Sequence, residues 1–199
     1  MQDDIRLAQR IAQGDRHAFE EFVDGYGARV HRLVRRYVSH EADAEDVTQE
    51  IFLDLYRCIN NFRGEATLST WVYRVALNHC LRHRERTTPA VQSLDEMGHE
   101  RGHEPHDSGG DPVRWAARRE LCGQVHVALD DLSDVHRDVV ILHELHGLTY
   151  RECAAILEVP VGTVKSRLSN AFRALRGSLG NYVLGEVPAP GPDTMGETA

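Results

Sequence analysis

The chain has 199 residues, with 23 Lys+Arg against 31 Asp+Glu and a formal net charge of −8, so its length predicts one domain or two small ones. Because no apolar run approaches the ~18 residues that cross a bilayer, and the N-terminus lacks the parts of a signal peptide, we expect a soluble, cytoplasmic protein without membrane insertion. The four cysteines form no C-x-x-C pair, which argues against a disulfide scaffold and a thiolate zinc cage.

Apolar residues recur at spacings of three and four along most of the chain, and this period predicts helices throughout. The expected helices, in chain order, are Ile5–Gln13, His17–Tyr37, Ala42–Ile59, Ser69–Arg86, Pro112–Leu129, Ser133–Leu145, Tyr150–Leu157 and Gly162–Leu179. Because β-branched alternation is absent, we expect an all-α protein.

Breaker residues and charge divide the chain into two small helical domains, residues 1–86 and 113–184. Glycines, prolines and acidic residues fill 87–112, and such a composition predicts a flexible acidic linker. The tail, 185–199, has the same character and is predicted to be disordered. Each domain ends in a basic segment, and local positive potential is what phosphate binding requires.

The predicted helix Ala42–Ile59 carries an apolar residue on its charged face. Val47, Ile51 and Leu55 define the core side, whereas Leu53 lies on the opposite side. It is surrounded there by Asp46, Gln49 and Glu50. Two interpretations stay open, a single exposed leucine of no consequence or a docking face for a basic partner helix.

A polar loop, Asn60–Glu65, follows that helix and leads into the aromatic segment Ser69–Arg74. Asparagines that can read a base edge, beside aromatic rings on which a base can stack, suit the capture of unpaired nucleotides. The alternative is that Trp71 and Tyr73 are ordinary core residues, and the spacing allows both.

The C-terminal domain carries the pattern of a helix-turn-helix. Thr149 is a predicted N-cap for a short helix, and Pro160 and Gly162 separate it from a second helix. The second helix has an apolar face, Val164, Leu168, Ala171, Phe172 and Leu175, and a polar face, Ser166, Ser169, Asn170 and Arg173, flanked by Lys165, Arg167 and Arg176. Such a helix fits the major groove, although the solvated face of an ordinary helical hairpin would look alike.

Three blocks of the sequence together resemble one family. They are Asp43–Phe52, then Phe62–Glu65 with Thr70–Asn78, and Gly147–Glu152 with Val161–Leu168. In content, order and spacing they are similar to the extracytoplasmic-function (group 4) sigma factors of the sigma-70 family, the dissociable promoter-recognition subunits of bacterial RNA polymerase. The resemblance implies a region 2-like domain over 1–86 and a region 4-like helix-turn-helix domain over 113–184.

The resemblance also implies roles for individual residues. Docking on the β′ subunit would fall to Asp46, Gln49, Glu50 and Leu53. Recognition and melting of the −10 element would fall to Arg35, Arg36, Tyr37, Asn60, Asn61, Phe62, Arg63, Trp71 and Asn78. Reading of the −35 element would fall to Thr163, Lys165, Ser166, Arg167, Ser169, Asn170 and Arg173. Many relatives carry arginine where Asn170 stands, so the −35 preference does not transfer.

The implied partners are core RNA polymerase, through its β and β′ subunits, promoter DNA and an anti-sigma factor. The family implies neither a catalytic reaction nor a cofactor for this chain.

Two other hypotheses remain from the residues. One is a stand-alone helix-turn-helix transcriptional regulator. The other is a metal-dependent protein that uses His79, Cys80 and His83, or the linker histidines His99, His103 and His106.

Overall fold

A computed structural model describes residues 2–87, 123–125 and 127–183 of the chain. The helices are α1 (Gln2–Ala12), α2 (Arg16–Val34), α3 (Glu41–Cys58), α4 (Leu68–Thr87), α5 (Asp134–Val140), α6 (Tyr150–Leu157) and α7 (Val161–Val183). The described residues include no β-strand, and the all-α prediction is confirmed. None of the helices in this part of the chain has the length and apolar character that a membrane span needs.

Several sequence predictions concern residues outside the described ranges. They include the linker from residue 88 to 112, the start of the predicted helix Pro112–Leu129, and the tail 185–199. The linker histidines His99, His103 and His106 lie there too.

In the N-terminal half, two aspartate side chains accept backbone hydrogen bonds at the starts of helices α2 and α4. Asp15 caps α2 by accepting a hydrogen bond from the Ala18 N–H at 3.1 Å. Asp4 accepts one from the Leu68 N–H at 3.2 Å, which ties α1 to the start of α4. Helices α2, α3 and α4 pack against one another around Phe22 and Leu55, both fully buried. The predicted core side of α3 is confirmed, since Val47, Ile51 and Leu55 are buried. Cys58, at the end of the helix, is half-buried.

The C-terminal half forms the predicted helix-turn-helix. Thr149 and Glu152 make a reciprocal capping box at the start of α6. Glu158 ends α6 in the left-handed region (φ 54°), which turns the chain into α7. On the N-terminal side of α6, helix α5 continues into a π-helical turn, Ile141–Leu145. Val164, Leu168 and Ala171 bury one face of α7 against α5 and α6.

Phe172 lies on the predicted apolar face of α7 but outside the core, since it is 43% exposed. At 100° per residue it lies about 80° from Val164, at the edge of the apolar arc. Packing against α5 and α6 covers only the centre of that arc. Phe172 is therefore a surface residue of the helix-turn-helix.

The two halves pack against each other and share one continuous apolar core. Tyr37, just after α2, donates a hydrogen bond from its hydroxyl to Asp138 Oδ1 in α5 at 2.8 Å. Tyr73 in α4 bonds through its hydroxyl to His146 Nδ1 at 3.0 Å. Helix α4 also packs along α6. The described part of the chain is thus a closed arrangement of its two halves.

His146 makes this arrangement sensitive to pH. Burial, aided by the positive charges of Arg32 and Arg36, lowers the pKa of His146 to about 4 from 6.5. The folded state therefore holds the His146 ring in its neutral form. The contribution of this group to the free energy of unfolding is fully present above pH 6.5 and is lost as the pH falls toward 4. Burial raises the pKa of Asp138, so protonation of this carboxyl changes the free energy of unfolding in the opposite direction as the pH falls.

We expect the free energy of unfolding to fall by about 1–2 kcal/mol more in the wild type than in His146→Gln between pH 7.5 and 5. Glutamine keeps hydrogen-bonding capacity but does not titrate. Urea unfolding at the two pH values, followed by circular dichroism, gives the difference. Equal pH dependence in the two proteins would rule out His146 as its source.

Candidate nucleic-acid and protein interfaces

The outer face of α3 presents the residues predicted to dock on a partner. Asp46, Gln49 and Glu50 are all exposed, and Leu53 is 54% exposed beside them. Tyr56, one turn further, is also exposed and leans edge-on against Phe19 with 5.0 Å between ring centroids. The face is therefore an acidic stripe that ends in an apolar pair. Sequence reasoning missed Tyr56, although its i+3 spacing from Leu53 was a signal for it.

The loop after α3 is a 3-10 turn, Ile59–Asn61, followed by an irregular segment braced by α1. Gly64 has φ +73°, and a Cβ built there would lie 2.8 Å from Ile5 Cδ1, so a larger residue does not fit without strain. Asn60, Asn61 and Arg63 are exposed on this loop. The predicted nucleotide-capture residues at this loop are thus presented to solvent on a fixed backbone.

The aromatic residues next to the loop are mostly interior. Phe62 packs against Trp71 with 5.8 Å between ring centroids, and Trp71 is 8% exposed. Tyr73 is also buried. Of the two interpretations left open by the sequence, the core role is the one that this arrangement gives Trp71 and Tyr73. Phe62 is half-buried and keeps part of its ring at the surface.

The basic cluster after α2 is partly buried, and its three residues have different partners. The side chain of Arg35 is 15% exposed and pairs with Glu41 Oε2 at 3.1 Å. It also donates to the Ser39 carbonyl at 2.9 Å. Arg36 is half-buried, and Tyr37 is held by Asp138 from the other half. Burial raises the pKa of Tyr37 well above 10, so its hydroxyl keeps its proton.

A cavity of about 340 Å³ lies between α3 and α4. Across it, His79 Nε2 and Asp54 Oδ2 are 2.9 Å apart. Asn78 lines the same cavity and is exposed. Its remaining lining residues are Arg57, Cys58, Val75 and Arg82. The sequence pointed to Asn78 and, as a metal ligand, to His79, but not to the cavity, because its lining is assembled from two helices.

Among the described residues, the metal-site candidates His79, Cys80 and His83 are not brought together with further ligands. Cys80 is fully buried, and burial raises the pKa of its thiol to about 12, so in this structure it is a protonated interior thiol. His79 turns instead to Asp54. Within the described ranges, no three histidine, cysteine or carboxylate side chains are placed to hold a metal ion.

The polar face of α7 is presented as the helix-turn-helix pattern predicts. Its exposed residues are Lys165, Ser166, Ser169, Asn170 and Arg173, while Thr163 and Arg167 are half-buried. Arg173 donates to Asn170 Oδ1 at 3.3 Å, and Ser166 donates to the Thr163 carbonyl at 3.0 Å. Hydroxyl, amide and guanidinium groups on one face can read base edges in a major groove.

Tyr150, at the start of α6, was missed by the sequence analysis. Its ring lies 4.5 Å from the His143 ring, centroid to centroid, and Lys165 Nζ lies 5.8 Å from its centroid. The ammonium is therefore held near a ring face, a cation–π contact, at the entrance to the recognition helix. Only the fold brings Tyr150 to Lys165, because fifteen positions separate them in sequence.

Two family descriptions match the chain, in the order that the fold presents them. The family described as Sigma-70 region 2 matches residues 22–89, and the family described as Sigma-70, region 4 matches residues 122–175. The first match contains the acidic stripe of α3, the loop Asn60–Glu65 and the cavity between α3 and α4. The second contains the helix-turn-helix.

Curated relatives and solved structures agree with these matches. The chain is 35% identical over 179 residues to the RNA polymerase sigma-H factor of Pseudomonas aeruginosa, covering 87% of this chain and 92% of the relative. It is 35% identical over 177 residues to the ECF RNA polymerase sigma-E factor of Escherichia coli K12, covering 85% and 90%.

Among solved structures, CnrH in complex with the cytosolic domain of CnrY has a TM-score of 0.67 and 25% identity, covering 89% of this chain and 97% of that one. The sigma factor RpoE of Bartonella quintana, in complex with the anti-sigma factor NepR, shares the fold, with a TM-score of 0.59 and 22% identity over 81% and 96%. With two region matches in order and relatives 35% identical over most of their length, the chain belongs to the sigma-70 family, in its extracytoplasmic-function group.

Proposed function

We propose that this chain is a promoter-recognition subunit of bacterial RNA polymerase, which binds the core enzyme and directs it to promoters with particular −35 and −10 elements. One observation carries the proposal. A single chain of this family presents both an acidic and apolar stripe on α3 and a polar recognition face on α7. A protein-docking face and a DNA-reading face on one chain suit a subunit that brings an enzyme to DNA.

In this proposal the chain is not an enzyme and acts in the cytoplasm. The core polymerase, with its β and β′ subunits, carries out nucleotidyl transfer. Each half of the chain offers few phosphate contacts, so the free chain binds duplex DNA weakly and in a salt-dependent way. Held together on the polymerase, the two halves act at a high effective concentration toward one promoter.

The acidic stripe of α3 is the proposed docking face. Asp46, Gln49, Glu50 and Leu53 would contact basic residues and an apolar groove on a clamp helix of the β′ subunit. Exposed carboxylates steer association with a basic partner, and a central exposed leucine supplies apolar contact. Tyr56 extends the apolar end of this face.

We expect Glu50→Lys to weaken binding to core RNA polymerase by about tenfold or more, because it places like charge against the partner. Leu53→Ala should weaken it through lost apolar contact. Asp24→Lys, an equal change of charge at an exposed position of α2, is the matched control and should bind like the wild type. Fluorescence anisotropy of the labelled chain with purified core measures all three. Equal losses in Glu50→Lys and Asp24→Lys would contradict a docking face on α3.

The loop Asn60–Glu65 and the start of α4 form the proposed −10 surface. Asn60, Asn61 and Arg63 would contact a base taken from the melted strand, with Phe62 and Trp71 supporting the loop. Asn78 would contact the adjacent DNA from the cavity rim. Part of the melting cost, a few kcal/mol per unstacked step, is offset by these contacts. In this role, Arg35, Arg36 and Tyr37 would hold the strand.

The exposed face of α7 is the proposed −35 reader. Ser166, Ser169 and Asn170 would face base edges in the major groove, and Asn170 is suited to adenine. Thr163, Lys165, Arg167 and Arg173 would contact phosphates or adjacent bases. Tyr150 would support Lys165.

We expect Asn170→Ala to relax the promoter preference at one position of the −35 element, by about 1–3 kcal/mol of discrimination. Lys165→Met should instead weaken all sequences alike and reduce the salt dependence by about one phosphate contact. Run-off transcription of a promoter library with core polymerase measures both. Tight, specific duplex binding without polymerase would favour the stand-alone regulator, and an unchanged preference in Asn170→Ala would remove that residue from the reading face.

We also propose an anti-sigma factor that covers these faces. Support comes from the solved relatives, since RpoE of Bartonella quintana is bound to the anti-sigma factor NepR. The exposed apolar residues Leu53 and Phe172 give such a partner a place to bind on each half.

We expect affinity capture from the native cell to recover a dedicated protein that, once purified, competes with core polymerase for this chain. The Leu53→Ala variant should be captured less well, and Asp24→Lys should be captured normally. Recovery of polymerase alone, with no competitor, would count against an anti-sigma factor.

A further inference from the structure

Helix α1 contacts the loop between α3 and α4 at three points. The 3-10 turn Ile59–Asn61, where the loop begins, packs against α1. In the middle of the loop, a Cβ built at Gly64 would lie 2.8 Å from Ile5 Cδ1, so the loop backbone passes close to this side chain. At the end of the loop, the Leu68 N–H donates to Asp4 Oδ2 at 3.2 Å. Helix α1 therefore holds the loop at both ends and in the middle.

The Asp4 carboxylate completes the cap of α4. The first N–H groups of a helix have no partner within that helix. At the start of α4, the Thr67 hydroxyl accepts the Thr70 N–H at 3.1 Å, and Asp4 accepts the Leu68 N–H. Because Leu68 is fully buried, its N–H needs a protein acceptor. The start of α4 therefore depends on a residue 64 positions away in sequence.

Ile5 limits the path of the loop at Gly64. The Gly64 backbone has φ +73°, a conformation that residues with a side chain rarely adopt. Ile5 Cδ1 and Cγ1 lie 2.8 and 3.1 Å from the position that a Cβ would take there. Arg63 and Glu65, on either side of Gly64, are exposed. The contact therefore fixes the turn from which these two exposed side chains leave the loop.

The remainder of α1 is anchored independently of the loop. Ala8 and Ile11 are buried in the core. Arg10 Nε donates to Asp15 Oδ2 at 2.9 Å, and Asp15 itself caps α2. Because these contacts hold α1 against α2, the first turn of α1 meets the loop from a fixed position. A substitution in that turn leaves the rest of the helix in place.

The other proposed surfaces are carried by other helices. Helix α1 packs against α2 and the 3-10 turn. The docking stripe lies on the outer face of α3, around Glu50, and the −35 face lies on α7, around Asn170. Loosening of the loop by a change in α1 therefore affects the −10 surface and leaves the docking and −35 faces intact.

We propose that α1 is the positioning element of the −10 surface. Through Asp4 and Ile5 it holds the loop Asn60–Glu65 in the conformation that receives an unpaired base. Both are positioning residues, since they contact the loop and act on DNA through it. That the loop receives a base rests on the function proposed above, whereas the hold of α1 on the loop is a property of the free chain.

Amide exchange measured by NMR tests whether Asp4 holds the loop. The reporters are the Leu68 N–H, bound to Asp4, and the Phe62 N–H, which donates to the Ile59 carbonyl at 3.0 Å near the other end of the loop. In Asp4→Ala, both should exchange about threefold faster or more, because a helix cap is lost. Asp4→Asn keeps an acceptor oxygen and should exchange nearly as slowly as the wild type. Asp3→Ala, a matched loss of charge in the same turn, should have no effect. Faster exchange at Leu68 alone, or equal effects of Asp4→Ala and Asp3→Ala, would overturn the proposal.

Promoter opening and polymerase binding separate positioning from folding. 2-Aminopurine in the −10 element of a promoter that the wild type selects reports opening, and fluorescence anisotropy reports binding to core polymerase. Asp4→Ala should open the promoter about threefold more slowly or worse, and it should bind core like the wild type. Asp4→Asn should restore opening. An equal loss of opening and core binding in Asp4→Ala would show a general folding defect and overturn the proposal, as would normal opening.

A paired substitution tests the contact of Ile5 with Gly64. Gly64→Ala should slow opening, because the new Cβ meets Ile5 Cδ1 in addition to the backbone strain. Ile5→Val removes Cδ1 and should restore part of the opening rate when combined with Gly64→Ala. Ile5→Val alone should open the promoter nearly like the wild type. A Gly64→Ala defect of the same size in both backgrounds would overturn the role of Ile5.

The two kinds of measurement distinguish a failure of this proposal from a failure of the proposed function. If the wild type with core opens no promoter, the proposed function fails, and amide exchange in Asp4→Ala still decides whether α1 holds the loop. If the wild type opens promoters and Asp4→Ala matches it in exchange and in opening, the proposed function stands and α1 is not the positioning element.

Discussion

The hydrogen bond from Tyr37 to Asp138 is the interaction on which the arrangement of the two halves depends. It joins residues 101 positions apart and satisfies a carboxylate that packing has removed from water. Burial raises the pKa of both groups. Because an unpaired carboxylate there would be costly, the end of α2 and the helix α5 are held in one register.

Local order in this chain follows from local sequence, and for that reason most helices could be predicted. Asp15 and Thr149 begin helices through side-chain caps, and the apolar period of α3 fixes its buried side. The packing of α4 along α6 could not be predicted in the same way. Its pairs, Tyr73 with His146 and Arg84 with Asp134, join distant residues that no period relates.

The candidate surfaces also contain residues that one helix predicts and contacts that only the fold creates. Leu53 and Asn170 were assigned to exposed faces by helical angle, and both are exposed. The cavity beside Asn78 and the contact of Tyr150 with Lys165 need two elements brought together, so one helix at a time cannot reveal them. Tyr56, by contrast, shares the face of Leu53 on a single helix. Phe172 lies on the apolar face and is nevertheless exposed, because a helical angle states which side a residue faces, whereas burial depends on whether a neighbour reaches it.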